Sequence, residues 1–140
     1  MNKRDSIFYV LNIIFPIIIG TIIYILYSPN TIFVKLLSNY FDIKSLDSNF
    51  ISNILRNYFC DFCWCYSLAF TISYLYKDSL SAITSILVPI SVGIALEIMQ
   101  LTGTISGTYD LLDIISELSA CTICYLILIK RNKKRGGLSL

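Results

Sequence analysis

The sequence predicts an all-α fold: an integral membrane bundle of four transmembrane helices, with a short interfacial helix in the first extracellular loop. Three observations predict it. Of 140 residues, 56% are hydrophobic and 14% charged, where a soluble domain carries about 25% charged residues. The apolar residues gather into four stretches, each long enough for a hydrocarbon core that takes roughly 20 helical residues. Lys and Arg gather at one side of the resulting plan, the asymmetry that orients membrane helices. No internal repeat or low-complexity linker divides the chain, so residues 1–140 read as a single membrane domain.

The first stretch covers residues ~7–27, uncharged, with Pro16 at its middle. Lys3 and Arg4 before it resemble a signal-peptide n-region. The apolar run is longer than an h-region, though, and no small-x-small cleavage site follows, so it reads as a retained anchor. In the long loop that follows, Phe33, Leu36, Leu37, Tyr40 and Phe41 recur at helical spacing. That pattern predicts the interfacial helix, apolar side down. A short amphipathic piece at residues 50–57 leads into the second stretch, ~57–76, which contains Asp61. The third, ~80–101, has Pro89 mid-span and Glu97 near its end. The fourth, ~109–129, carries Asp113 and Glu117 in its first two turns. Proline breaks a soluble helix but is tolerated in a membrane bundle, so Pro16 and Pro89 predict kinks. Lys77-Asp78-Ser79 alone joins the second and third stretches, which must form a tight hairpin.

Lys3, Arg4, Lys77 and the basic tail 130–140, with Lys130, Arg131, Lys133, Lys134 and Arg135, mark the cytoplasmic side. The loop of residues 102–108 is uncharged. The expected location is therefore the plasma membrane, multi-pass, with both termini cytoplasmic and the tail a stop-transfer flank near anionic headgroups. Tyr27, Tyr58, Phe59, Trp64 and Tyr109 fall in the outer aromatic belt, and Phe8, Tyr9, Tyr74 and Tyr76 in the inner one.

Acidic residues inside apolar helices are costly and mark sites. At 1.5 Å of rise per residue, Asp61, Glu97 and Asp113 each lie ~6 Å below the outer ends of their helices, and Glu117 ~12 Å. Three helices thus bring acids to one level. Each helix also repeats polar residues on one face: Asn57, Asp61 and Trp64; Glu97 and Gln100; Asp110, Asp113 and Glu117. A shared outward-facing cavity lined by Asn57, Asp61, Glu97, Gln100, Asp113 and Glu117 is expected, with Arg56 the one base adjoining it in sequence. Asp110 and Asp113 also have the spacing of a helix cap and its third residue. Four carboxylates in a low-dielectric pocket cannot all stay charged without a counter-group. The pocket therefore favours cationic or hydrogen-bond-donating ligands.

The chain has no His, which removes the usual near-neutral proton shuttle and the commonest metal ligand. Cys60-x-x-Cys63 and Cys121-x-x-Cys124 look like zinc half-sites, but they sit ~10 Å or more apart in depth by helical rise. Four thiolates would also place net negative charge in lipid. Packing residues are the better reading, and no metal or cofactor is expected. There is no phosphate-binding Gly loop and no Ser–His–Asp set, and the tail is too short to argue for nucleic acid.

The run Glu97-x-x-Gln100, a short loop, then Gly107-Thr108-Tyr109-Asp110-x-x-Asp113-x-x-x-Glu117 resembles the VanZ-like family, whose pattern is roughly E-x-x-Q, a loop, an aromatic–Asp pair and D-x-x-x-N. Arg56-Asn57-Tyr58, Asp61 and Trp64 resemble the motif before the second span in some members. The likeness covers most of residues 56–129. Many members have Arg before the aromatic–Asp pair, where this chain has Gly107 or Thr108, and Asn where it has Glu117. The pocket is accordingly more acidic than the family norm. The resemblance implies a Gram-positive cell-envelope protein linked to low-level resistance to the glycopeptide teicoplanin.

Joined to that resemblance, the carboxylate site predicts recognition of an amphipathic envelope component, a lipid-linked envelope precursor or a glycopeptide antibiotic, with membrane lipid as the surrounding partner. The expected ligand-binding residues are Arg56, Asn57, Asp61, Glu97, Gln100, Asp110, Asp113 and Glu117. Turnover is the alternative: a membrane enzyme on a lipid-linked substrate, with Glu97 and Asp113 as general acid and base. A small cation- or proton-coupled transporter is a third reading. The inner halves of all four stretches lack the acids it would need. A helper subunit whose carboxylates meet a partner's Arg is the fourth.

Overall fold

The computed structural model describes residues 3–28, 31–41, 46, 49–76, 82–105 and 109–134. Among them every regular element is helical. In chain order these are α1 (Lys3–Tyr27), α2 (Ile32–Ser38), α3 (Phe50–Ile54), a π-helical turn (Leu55–Phe59), α4 (Cys60–Leu75), α5 (Ala82–Leu101) and α6 (Leu111–Lys134). The expected hairpin turn Lys77-Asp78-Ser79, the loop residues Gly107 and Thr108, and the tail from Arg135 onward lie outside the described residues.

Two segments are long and apolar enough to cross a membrane, Asp5–Tyr27 in α1 and Leu111–Arg131 in α6. Only 11% of the most apolar window of the first and 22% of the second is buried. A core helix of a soluble protein would bury most of that surface. The other two expected spans are shorter by that measure. The apolar part of α5 is Ile86–Leu101. With 16 residues, α4 by itself reaches only ~24 Å, but α3, the π turn and α4 form one continuous helical run from residue 50 to 75.

At the centre, α4 contacts α1, α5 and α6. Its composition explains why: Cys63, Cys65, Ser67, Ala69 and Ser73 are small and buried, so neighbouring backbones come close. Gly20 of α1 sits on this surface, where an added Cβ would stand 3.1 Å from Cys63 Cβ and 3.2 Å from the Trp64 ring. The buried hydroxyls need no outside partner, because Ser67 donates to the Cys63 carbonyl and Ser73 to that of Ala69, both at 2.8 Å. Phe70 fills the middle of the core, joined by Ala120, Cys121, Cys124 and Leu128 of α6. Tyr66 donates to Asn12 Oδ1 at 2.6 Å and fastens α4 to α1. Asn12 lies four residues before Pro16, whose missing N–H frees the Asn12 carbonyl.

One residue of the basic tail is diverted into the fold. Arg131 Nη2 donates to Asp5 Oδ1 at 2.6 Å, with both side chains only 15% exposed. Its guanidinium carbon lies 3.5 Å from the Phe8 ring centre and 5.3 Å from that of Tyr9. Phe8 and Tyr9, expected at the lipid interface, are occupied in covering this cation, and Tyr9 also meets Tyr74 at 5.3 Å between ring centres. The pair closes one end of the bundle, joining the start of α1 to the end of α6.

In the first loop, α2 forms within the segment expected to be the interfacial helix. Val34 is buried, while Leu36, Tyr40 and Phe41 are exposed. A capping box starts α3: Asn49 Oδ1 accepts from Ser52 N at 3.0 Å, and Ser52 Oγ accepts from Asn49 N at 2.7 Å.

Candidate functional site

The opposite end of the bundle holds the acids. Glu97, on the last full turn of α5, is 5% exposed and is the one charged side chain among the buried described residues. Its Oε2 accepts the backbone N–H of Asp110 at 3.2 Å, just before α6 begins. Asp110 is the cap of α6. Its Oδ1 accepts from Leu112 N at 3.0 Å and its Oδ2 from the Tyr58 hydroxyl at 2.9 Å. Negative groups are favoured there, where free N–H groups and the positive end of the helix dipole point outward. One part of the acidic motif is therefore structural, since Glu97 and Asp110 anchor the start of α6.

The remaining acids gather beside them. Asp61 on α4 lies within electrostatic range of Asp113, Glu117 and Glu97, and Asp113 within range of Glu97 and Asp110. Glu117 lies against α5 so closely that a Cβ on Gly93 would overlap its carboxylate group. Glycine at 93 thus creates the recess that admits Glu117. Two further acceptor oxygens at this end, Gln100 Oε1 and Asp113 Oδ1, are sealed from solvent and receive no hydrogen bond among the described residues. A buried acceptor in that state ordinarily costs about 1–3 kcal/mol.

The π-helical turn positions the α4 side. A π turn displaces backbone carbonyls from the α-helical ladder. The Tyr58 carbonyl is met by the Ser116 hydroxyl of α6 at 2.5 Å. Tyr58 thereby holds α6 twice, by its carbonyl at Ser116 and by its phenol at Asp110. Ser116→Ala is expected to cost about 1 kcal/mol, the net worth of one such bond. Denaturant unfolding of the purified protein checks this, and hydrogen exchange in the first turns of α6 should rise with it.

Of the eight expected ligand-binding residues, Asp61, Glu97, Asp110, Asp113 and Glu117 come together, and Gln100 sits one turn from Glu97 on α5. Arg56 and Asn57 do not join them. On the exposed side of the π turn, Arg56 Nε donates to Asn57 Oδ1 at 2.9 Å. Arg56 makes no ion pair with Asp61. Trp64, expected on the Asp61 face, lies against Gly20 of α1. Tyr58, Ser116 and Gly93 belong to the site and were not expected there. Gly93 carries a signal as a lone glycine inside an apolar helix, and Tyr58 one as part of the Arg56-Asn57-Tyr58 run; Ser116 carries none.

A cleft of about 560 Å³ opens elsewhere, between α1 and α4, lined by Leu11, Phe15, Pro16, Phe62 and Tyr66 among others. It is almost wholly apolar and contains none of the acids. Among the described residues no three acidic or thiol groups converge as a metal ion would require. The two Cys-x-x-Cys pairs have different neighbours. Cys60 donates to the Gly20 carbonyl at 3.4 Å, and Cys121 Sγ touches Cys65 Sγ at 3.4 Å. Comparison with known protein families, with curated proteins and with solved structures finds no match for this chain.

Proposed function

We propose that this chain is a VanZ-like integral membrane protein of the cell envelope that crosses the plasma membrane four times with both termini cytoplasmic. In this reading α2 is the interfacial helix of an extracellular loop. The acidic end of the bundle faces outward and recognises an amphipathic envelope component or a glycopeptide antibiotic. The observation that carries the proposal is the meeting of Asp61, Glu97, Asp113 and Glu117 from three helices at one end of a bundle with a largely unburied apolar exterior. Burying like charges together is unfavourable unless a ligand or protons complete the site. The Glu97-x-x-Gln100 and Tyr109-Asp110-x-x-Asp113 motifs support the family reading.

Recognition is favoured over turnover because Glu97 already holds the Asp110 amide, a positioning contact that a mobile general acid would have to break. Cysteine labelling in intact cells tests the topology. A cysteine at Tyr109 should react with a membrane-impermeant maleimide, and one at Tyr76 should react only after permeabilisation. The reverse pattern sinks the outward reading. In a susceptible Gram-positive host, expression should raise teicoplanin tolerance, and Glu97→Gln should abolish the gain.

A further inference from the structure

We propose that Cys65 and Cys121 form an oxidisable dithiol, which a small uncharged peroxide such as hydrogen peroxide converts into a disulfide tying α4 to α6. The inference stands apart from the recognition reading above, because it needs only the contact of these two helices.

All five cysteines are free and buried. A buried thiol standing alone is inert, but these two stand together. Cys65 Sγ and Cys121 Sγ meet at 3.4 Å, from positions 56 apart in the chain. Bonding distance lies about 1.4 Å closer. The small side chains of Ala69 and Ala120 are fully buried in the same core, which lets the two backbones come near each other. The other three cysteines are engaged elsewhere. Cys60 donates to the Gly20 carbonyl, Cys63 lines the cleft toward α1, and Cys124 pairs with the Ser73 hydroxyl.

Exposure sets the order of events. Cys65 keeps 7% of its surface open and Cys121 keeps none. The Cys65 sulfur is therefore the one that meets a water-sized oxidant. It attacks one peroxide oxygen and the O–O bond breaks. That oxygen stays on Cys65 as a sulfenic acid, and the other leaves as water with the thiol proton. Cys121 Sγ, already in contact, then attacks the Cys65 sulfur. The S–S bond forms and the S–O bond breaks. The sulfenic oxygen departs as a second water with the Cys121 proton. The dithiol has lost two electrons and two protons, and the peroxide has been reduced to two waters.

The bridge has two physical consequences. It closes a loop between positions 56 apart, which restricts the unfolded chain. It also removes the S–H that Cys65 donates to the Glu117 carbonyl at 3.6 Å. Oxidation thus alters the turn of α6 that carries Glu117.

Peroxide treatment of the full-length protein in phosphatidylcholine nanodiscs tests this, followed by alkylation of the denatured chain and mass spectrometry. Of the five cysteines, all five should be alkylated before treatment and three after it. Peptide mapping of the folded wild type should find residue 65 linked to residue 121. The oxidised protein should unfold at a higher temperature than the same sample after dithiothreitol. Cys65→Ser and Cys121→Ser should each lose the bridge, and Cys124→Ser should keep it, with circular dichroism establishing that all three are folded. Denaturing peroxide-treated Cys121→Ser in dimedone should label Cys65 as the trapped sulfenic acid. Five alkylated cysteines after treatment of the wild type, a link through Cys60, Cys63 or Cys124 instead, or an unfolding temperature that ignores dithiothreitol overturns the proposal. Dimedone labelling of Cys121 in Cys65→Ser overturns the order of attack.

Discussion

Arg131→Ala is expected to lower the stability of the folded bundle by about 2–4 kcal/mol, below the full 3–5 kcal/mol of a wholly buried broken pair because both partners keep some exposure. Three losses combine. Asp5 loses a charge-assisted bond of 2.6 Å, the rings of Phe8 and Tyr9 lose the cation they cover, and a void opens where the planar group lay. The cation–ring contact alone is worth about 0.5–2 kcal/mol. Arg131→Lys should recover only part of the loss, since an ammonium keeps the charge but cannot stack as a plane on two rings. Unfolding in bicelles checks both variants. Exchanging the residues, Asp5→Arg with Arg131→Asp, separates charge from stacking: a fully restored midpoint would reduce the rings to bystanders.

Gly93→Val is the second large effect. Any Cβ at 93 overlaps the Glu117 carboxylate. Alanine can be met by swinging that flexible carboxylate aside, at about 1–3 kcal/mol, whereas the branched valine must also part α5 from α6 and should cost more. The diagnostic is the double variant. If Glu117 fills the recess, Glu117→Ala should relieve most of the Gly93→Ala penalty, with a coupling of about 1 kcal/mol or more in a cycle of unfolding free energies. Additive losses would show that the two residues do not meet. Glu97 lies one turn beyond Gly93 on the same helix, so the Gly93→Ala variant also reports whether ligand binding depends on the position of Glu117.

The helical class and much of the site were legible because apolar runs and misplaced acids are written residue by residue. Asp61, Glu97, Asp113 and Glu117 stand out among Ile and Leu, and rise per residue puts the first three at one level, with Glu117 a turn deeper, without knowledge of packing. What stayed hidden depended on phase and on partners far away in the chain. The π turn adds a residue to its turn, so a single helical wheel carried from Asn57 to Asp61 misassigns their relative faces. That is why Asn57 groups with Asp61 on the wheel and is found elsewhere, whereas Trp64, in the same α-helix as Asp61, lies against Gly20 because α1 packs on that side. Arg131 looked like one more tail cation because its aromatic cover comes from the other end of the sequence. Tyr58 looked like a belt residue because a tyrosine near a helix end commonly is one. Span lengths were legible only in part, since α4 gains its reach from the wide turn and α3 before it.

The ion pair between Asp5 and Arg131 joins positions 126 apart. It can form only after α6 has been synthesised, so the start of α1 waits through most of elongation before this contact is available. Such a long-range closure makes the fold a late event in biogenesis, in contrast to the neighbouring-helix contacts that can assemble as they emerge. A ribosome stalled before residue 131 would therefore hold a bundle whose first and last helices have yet to be fastened together.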